Sequence, residues 1–486
     1  MSKCLKIILE GDFFSNDIRE LVIQFFPDYI IKKESKDKAD LRITVIRKKS
    51  WVNSTAAGNS KVVEKFTELT GQNDRRQIKT LVYKTLSEFT GKELKWGTMT
   101  GIRPARIAHG KLVEGKKKTL VAYEIQREYG TDNIRTEDLI KIAGLEIERL
   151  YPLDKNKIQL YINIPFCPTR CSYCSFITRD AKADSSELEK YLGNLFVEIS
   201  KVGDFMSQNN FKIESAYIGG GTPGILNCSS TTRLLEKIRE KMPVQGVIEY
   251  TFEAGRPDTV TEDKLNILKH FGIDRISVNP QSLNEKTLKT IGRSHSADDF
   301  YKAYELARKV GFKTINCDMI MGLEGESSAD MIRTAESLIA LNPENITVHS
   351  LSVKKSSYLK NSIYKDNLFN DLEENEAAED IYRMLKSKSY NPYYIYRQKY
   401  TVNNGENIGF SKKGHEGYYN LAIMSDKRSI VGLGAGSTGK IYFPDTDRFE
   451  RMETVKNIDL YNKNIESIAI EKIKQIKSLT NNIDMI

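Results

Sequence analysis

The hydrophobic pattern changes rhythm twice along the chain. In the first 150 residues it is mixed: Leu5–Leu9 and Leu41–Arg47 alternate or cluster like strands, whereas Asp17–Phe26 and Arg75–Phe89 carry apolar residues at helical spacing. This predicts a small α+β unit over 1–150. From residue 157 the pattern becomes strand, loop, helix, repeated. Strands are predicted at Gln159–Ile164, Ala216–Ile218, Glu249–Ala254, Arg275–Val278, Thr314–Met321 and Asn345–Leu351. Helices are predicted between them at Glu187–Val202, Thr232–Lys241, Glu262–His270, Asp298–Val310 and Ala329–Leu341. Such alternation implies a parallel α/β sheet with right-handed crossovers over 155–380. A third region, 381–486, is rich in tyrosine and glycine and closes on a basic helical pattern. There are no internal repeats.

The first predicted strand of the α/β region runs into Tyr161-Ile-Asn-Ile-Pro-Phe-Cys-Pro-Thr-Arg-Cys-Ser-Tyr-Cys-Ser-Phe176, which sets Cys167, Cys171 and Cys174 in a Cys-x3-Cys-x2-Cys array. Clustered cysteines can be buried thiols or another kind of metal site. Here the spacing, the aromatic Tyr173 and the preceding strand favour a [4Fe–4S] cluster with one iron left open, since soft thiolates suit such clusters. A zinc site normally takes four protein ligands, or three and a water, and no histidine lies near in sequence.

This segment resembles the signature of the radical S-adenosylmethionine enzymes, and within them the coproporphyrinogen III oxidase-like family. The resemblance is strong over 157–355. It extends to Glu253-Ala-Gly-Arg-Pro-Asp258, Asn279-Pro-Gln281, Tyr394–Lys399 and Gly432–Gly436, which look most like the HemZ-type members with their long N-terminal extension. It implies a partial (β/α)6 barrel with an N-terminal α+β domain and a C-terminal α+β extension facing substrate. A full eight-fold barrel typically needs about 250 residues.

The resemblance also implies the cofactors, a [4Fe–4S] cluster and S-adenosyl-L-methionine, with the open iron chelating the methionine part. Gly219-Gly-Gly-Thr-Pro223 follows the second strand; a plain tight turn would explain a glycine run, and so would close backbone approach to a ligand. It is similar to the family segment that holds the methionine amino and carboxylate groups, which assigns Gly220, Gly221 and Thr222. Glu253, Gln281, Arg293 and Asp318 follow at successive strand ends, where barrel proteins gather functional residues. Each alone could be a structural polar group. Together they offer carboxylates for hydroxyls and ammonium and a guanidinium for a carboxylate, and they match the family's cofactor-binding residues in order and spacing, as does Tyr161. Ser352 corresponds by spacing only. Two positions depart from the family: Phe176 stands where the decarboxylating oxidases carry a further cysteine, and Gly322-Leu-Glu-Gly325 replaces G-L-P-G.

The expected activity is oxygen-independent oxidative decarboxylation of coproporphyrinogen III propionates to vinyl groups in haem biosynthesis. A haem chaperone without that activity and a radical haem-degrading enzyme are the alternatives. The expected partners are an acidic tetrapyrrole (coproporphyrinogen III or haem) and a reducing donor such as flavodoxin or ferredoxin. Tyr393, Tyr394, Tyr396, Tyr418 and Tyr419, with Arg397, Lys399 and His415, could line a macrocycle pocket or simply pack. Arg397 and Lys399 are the candidates for a basic rim. His295 and His349 could serve as acid–base groups or as core hydrogen-bonding residues.

Charge and size narrow the setting. The 486 residues exceed one ordinary domain. The 74 Lys and Arg against 65 Asp and Glu leave a net +9, but no dense basic block with interleaved aromatics points to nucleic acid. No apolar run approaches the roughly 20 residues of a membrane span, and the N-terminus is too short in apolar residues for a signal peptide. A cytoplasmic protein is expected, with Cys4, Cys228 and Cys317 as packing thiols rather than disulfide partners.

Overall fold

The structure, a computed structural model, describes residues 4–11, 14–26, 29–32, 39–58, 60–71, 73–101, 103–176, 178–182, 185–352, 372–398, 401 and 405–480. It separates into two compact units, one built mainly from residues up to Gly144 and the other beginning at Leu145.

In the first unit a five-stranded sheet is ordered β2-β1-β3-β4-β5. Its strands are β1 (Cys4–Glu10), β2 (Ile30–Lys32), β3 (Leu41–Arg47), β4 (Trp51–Gly58) and β5 (Val62–Glu68). The apolar stripes of α1 (Ser15–Phe25) and α2 (Asp74–Thr90) form its core with Leu5, Leu41, Ile43, Val45, Val52 and Ala56. Alternating burial along β3 and β4 is the period-2 signature of a sheet with one covered face. Three helices follow, α3 (Ala105–Val113), α4 (Lys118–Tyr129) and α5 (Asn133–Leu150).

The second unit carries the predicted alternation. Its strands are β6 (Lys157–Ile164), the short pair β7 (Phe166–Cys167) and β8 (Arg179–Asp180), then β9 (Lys212–Gly220), β10 (Glu249–Gly255), β11 (Arg275–Val278), β12 (Thr314–Met321) and β13 (Asn345–Ser350). Between them run α6 (Ser186–Gln208), α7 (Cys228–Lys241), α8 (Glu262–His270), α9 (Glu285–Thr290), α10 (Ala297–Val310) and α11 (Ser328–Leu341). Six strands lie side by side in chain order, β6 to β13 without the short pair, and all are parallel. Polar N-caps start the helices on cue: Ser185, Asn227, Thr261, Ser296 and Ser327 each accept a backbone N–H, the last two in full capping boxes.

Residues after 372 extend this same sheet at both edges. After α12 (Leu372–Ser387), β14 (Asn391–Arg397) and β15 (Glu406–Ser411) add beyond β13, with β15 antiparallel to it. After α13 (Tyr418–Ser425), β16 (Ser429–Leu433) returns to pair parallel with β6, and β17 (Thr438–Phe443) and β18 (Arg448–Glu453) complete an eleven-stranded order. The parallel run is therefore seven strands long, one more than the sequence pattern predicts. The chain ends, among the described residues, in α14 (Ile458–Lys463) and α15 (Ile465–Lys477). No helix among them is long and apolar enough to cross a membrane.

One buried ion pair locks that returning segment in place. Glu198 on α6 is fully buried; it accepts from the Lys472 ammonium on α15, from Tyr461 Oη at 2.6 Å and from the Gly434 amide at 2.8 Å. Lys472 also donates to the Gly432 carbonyl at 2.5 Å. Removing one member of a buried pair strands the other without compensation and typically costs about 3–5 kcal/mol. Lys472→Met is accordingly expected to lower stability by about that amount, read as a fall in urea midpoint, whereas the exposed Arg383→Ala on α12 should change it by less than about 0.5 kcal/mol.

Candidate functional site

The cysteine loop is held at both ends. It leaves β6 at Ile164 and returns through β8, where Arg179 N donates to Pro165 O at 3.0 Å and Ala181 N to Cys167 O at 3.0 Å. A tight turn within it bonds Cys174 N to Cys171 O at 3.1 Å, drawing those two residues together. Cys167 and Cys171 are buried and Cys174 is half-buried. Burial pushes the Cys167 and Cys174 thiols up, and each thiol senses its neighbours in the array. Thr222 Oγ1 donates to Cys167 Sγ at 3.5 Å and works against that rise. No three His, Cys, Asp or Glu side chains among the described residues converge on a single ion. A cubane asks for a wider arrangement, because each thiolate takes a different iron. Cys4, Cys228 and Cys317 lie elsewhere as free thiols, Cys317 buried within β12.

Beside the loop, Gly219, Gly220 and Gly221 bring the end of β9 into backbone contact with it. Gly221 N donates to Ile164 O at 2.9 Å and Thr222 N to Phe166 O at 2.7 Å. A Cβ on Gly221 would fall inside the Phe166 carbonyl, and one on Gly220 inside the Asn163 amide. Gly220 also has φ +113°, outside what L side chains adopt. A Cβ on Gly219 would meet the Tyr217 ring at 2.8 Å and the Glu253 carboxylate at 2.9 Å. The glycine run thus does more than turn: it leaves open the space between the cysteine loop and Glu253. Behind it, the buried Lys264 ammonium ties two loops together, donating to Gly224 O at 2.5 Å and Thr259 O at 2.8 Å.

The structure gathers Glu253, Gln281 and Asp318 at the same ends of β10, β11 and β12. Glu253 accepts from Tyr217 Oη. Its burial, with the Asp318 carboxylate adding to it, raises its pKa to about 7. Gln281 occupies the left-handed region at φ +66° and bridges to β12, its N–H donating to Asp318 O at 3.0 Å and its carbonyl accepting from Ile320 N at 2.9 Å. Its side-chain Oε1 is buried with no partner among the described residues. Asp318 accepts from Asn316 Nδ2 at 2.7 Å and faces His349 Nε2 at 3.9 Å, whose Nδ1 lies 3.1 Å from Asn407 Oδ1. Tyr161 donates to Asn163 Oδ1 at 3.1 Å and lies against Tyr217 and Tyr419, which stack with centroids 4.6 Å apart. Two carboxylates, an orphaned amide acceptor and a bare glycine backbone fit a ligand that presents an ammonium, hydroxyls and a carboxylate.

The remaining candidates are placed as follows. Arg293 turns to the cysteine loop, donating to Tyr173 Oη at 3.1 Å and Asn279 O at 2.9 Å. Arg397 is no open rim cation: it is buried, donates to Met99 O and to Gln24 Oε1 at 3.4 Å, and lies over the Trp96 ring. Lys399 lies outside the described residues. Tyr393, Tyr394, Tyr418 and Tyr419 are buried packing residues. Tyr418 and Tyr419 open α13, their amides capped by Glu249 at 2.8 and 3.2 Å. His295 is buried, with neither ring nitrogen hydrogen-bonded among the described residues. Sequence reasoning missed Asn163, Tyr217 and Lys264. For the first two a signal exists, since alternation puts Asn163 on the face of Tyr161 and Tyr217 on the face of Gly219.

Each of Cys167→Ala, Cys171→Ala and Cys174→Ala should lose the iron and sulfide of anaerobically reconstituted protein, or leave a labile three-iron species, while the triple change of Cys4, Cys228 and Cys317 to Ala keeps it. Gly221→Ala should also lower iron content, because it displaces the Phe166 backbone next to Cys167. Full iron in Cys171→Ala would remove this loop as the cluster site.

Comparison with known proteins bears on the family of the chain. The family described as the Radical SAM superfamily matches residues 161–338. The oxygen-independent coproporphyrinogen-III oxidase-like protein HemZ of Bacillus subtilis (strain 168) is 32% identical over 98% of this chain and 98% of its own. The heme chaperone HemW of Escherichia coli (strain K12) is 27% identical over 59% of this chain and 71% of its own. Among solved structures, the coproporphyrinogen III oxidase HemN from Escherichia coli, a radical SAM enzyme, superimposes with TM-score 0.52 at 18% identity, covering 68% of this chain and 73% of that one. The HemN likeness gives the fold, and the end-to-end HemZ match gives the kinship: this chain belongs to the radical SAM coproporphyrinogen-III oxidase-like family.

Proposed function

We propose that the protein is an oxidoreductase that decarboxylates the propionates of coproporphyrinogen III, or of a closely similar acidic tetrapyrrole, without oxygen. The observation that carries this reading is the match to a coproporphyrinogen-III oxidase-like protein along 98% of both chains; the chaperone relatives cover only part of this one. With the family come its cofactors, a [4Fe–4S] cluster and S-adenosyl-L-methionine. When bound, they supply hydrogen-atom abstraction, and a propionate that loses a β-hydrogen atom, carbon dioxide and one electron becomes a vinyl group.

The chain's own contribution is binding, orientation and exclusion of water. Cys167, Cys171 and Cys174 hold the cluster. Gly220 and Gly221 present bare backbone, and Thr222 links that backbone to Cys167. Glu253 and Asp318 take the ammonium and hydroxyls of the cofactor, and Gln281 Oε1 accepts from it. Tyr161, packed on Tyr217 and Tyr419, closes the interior beneath them. The electron comes from a reduced protein donor of the flavodoxin or ferredoxin kind.

Glu253 gives this reading a pH signature. Its pKa in the folded protein, about 7, lies above the ordinary carboxylate value. An ammonium ligand needs the ionised form, so S-adenosylmethionine affinity should rise between pH 6 and pH 8. Glu253→Gln should bind more weakly, by about 1–3 kcal/mol for a lost charge-assisted hydrogen bond, and flatten the profile. The linkage in the ligand-free protein has the opposite sense. A carboxyl whose folded pKa is raised contributes stability below its unfolded pKa and loses it as pH climbs through the folded value. Wild type should therefore be more stable at pH 5 than at pH 7 relative to Glu253→Gln.

The second reading is a haem chaperone. It is favoured by Phe176, which stands 65% exposed on the cluster loop where the decarboxylating oxidases carry a further cysteine, and by the HemW relatives. Anaerobic turnover decides between them. Loss of two carbon dioxides per coproporphyrinogen III, with 5′-deoxyadenosine formed alongside, is the expected result. Tight haem binding with no decarboxylated product would replace the first reading by the second.

A further inference from the structure

His349 carries an unused ring edge into the candidate site. It sits on β13 opposite Ile320 of β12, and Thr347, two residues earlier, sits opposite Asp318. Side chains two apart share a face of a sheet, so Asn316, Asp318, Thr347 and His349 form one polar ladder. Hydrogen bonds run along it in one direction: Thr347 Oγ1 donates to Asn316 Oδ1 at 3.0 Å, and Asn316 Nδ2 to Asp318 Oδ1 at 2.7 Å. The ladder stops there. Asp318 Oδ2 accepts no hydrogen bond among the described residues, and it faces His349 Nε2 at 3.9 Å, beyond direct hydrogen-bond reach.

The other edge of the ring is fixed by the C-terminal segment. β15 pairs antiparallel with β13, Val348 opposite Ile408, and so brings Asn407 beside His349. His349 Nδ1 lies 3.1 Å from Asn407 Oδ1. An amide oxygen can only accept, so Nδ1 carries the proton and the neutral ring presents a lone pair at Nε2. Asn407 is buried, and its Nδ2 has no partner among the described residues. On the other side of Asp318, Gln281 Oε1 is likewise buried without a partner among them. In and just after β11, β12 and β13 the chain thus holds three unused acceptors: an amide oxygen, a carboxylate oxygen and an imidazole nitrogen.

We infer that His349 is a cofactor-contacting residue: its Nε2 and Asp318 Oδ2 form a paired acceptor for the vicinal diol of the S-adenosylmethionine ribose, with Asn407 as its positioning residue. This rests on the cofactor reading proposed above. Glu253, against the glycine run at β9 and β10, marks the methionine end of the ligand. β12 lies two strand spacings further along the sheet, about 10 Å, and β13 one more, so the nucleoside end is what extends towards them. A diol offers two O–H donors side by side. That suits two acceptors which cannot bond each other and which are costly to leave without a donor. An anionic group would be repelled there by Asp318. Through Asn407 the C-terminal segment thereby joins the cofactor site.

The test is anaerobic equilibrium binding of two ligands, S-adenosylmethionine and its 2′,3′-dideoxy analogue, to the full-length, cluster-loaded protein. Wild type that binds no S-adenosylmethionine would defeat the cofactor reading itself, which separates that failure from failure of this inference. His349→Leu should weaken S-adenosylmethionine about three- to tenfold, the worth of one hydrogen bond, and leave the analogue within about twofold of wild type. His349→Gln, which can return an acceptor, should recover part of the loss. Asn407→Leu should show the same selective loss at smaller size. Equal weakening of both ligands in His349→Leu would overturn the inference, because the histidine would then only support the sheet. Unchanged S-adenosylmethionine binding in that variant would overturn it too, and a simultaneous loss of coproporphyrinogen III binding would assign the histidine to the macrocycle. If His349→Leu does not fold, Asn407→Leu takes its place: selective loss of the natural ligand supports the inference, and equal loss or none counts against it.

Discussion

The site depends on one close approach, that of the backbone after β9 to the backbone after β6. Gly221 and Thr222 donate to the carbonyls of Ile164 and Phe166, and this extends two neighbouring parallel strands past the edge of the regular sheet. Cys167 follows Phe166 directly, so the first thiol is positioned by the same hydrogen bonds that position the glycine run. Any side chain at Gly220 or Gly221 would occupy the gap between the two backbones. Sheet pairing, cysteine loop and the open space beside the glycine run are in this sense a single construction. The Thr222 hydroxyl on Cys167 Sγ is its most direct expression.

Charge burial organises the rest. Glu198, Glu214 and Glu249 are all buried or nearly so, and each is met by cations, hydroxyls or amides from residues after 372. Glu214 takes Arg428 Nε at 3.0 Å and Tyr418 Oη at 2.7 Å; Glu249 caps α13; Glu198 takes Lys472 and Tyr461. Carboxylates cannot be left buried without partners, so the α/β strands and the C-terminal segment are obligatory company. From the C-terminal segment, Tyr419 on α13 reaches the stack with Tyr217 and Tyr161.

Much of this was legible beforehand. Arg275–Val278 and Thr314–Met321 coincide with the predicted strands, and Glu262–His270 with a predicted helix, because apolar runs bounded by polar caps and glycine carry their limits in the sequence. In the first unit, β4 and β5 were not predicted: Trp51–Gly58 and Val62–Glu68 are rich in Asn, Ser, Thr, Lys and Glu, and only pairing, of β4 with β3 and of β5 with β4, makes them strands. The place of β16 was unreadable for a related reason, since Ser429–Leu433 is too short to say which neighbour it joins. The cysteines, glycines and acidic strand ends could be read as types. What each is bonded to could not, and that is where Arg397 departed from expectation: a long cation reaches several acceptors, and only tertiary packing selects one.

The pairing of β16 with β6 also has a bearing on biosynthesis. The strand that leads into the cysteine array has β9 on one side early in synthesis, but its other neighbour, β16, is made only after β9 to β15. Until Ser429–Leu433 arrives, β6 is an edge strand with unpaired N–H and C=O groups, the kind of surface that invites association with other chains. A nascent or truncated chain lacking that segment would present its cysteines on an unfinished sheet. Order of synthesis and completion of the sheet around the cysteine loop are thus coupled by topology: a strand made late closes the flank of one made much earlier.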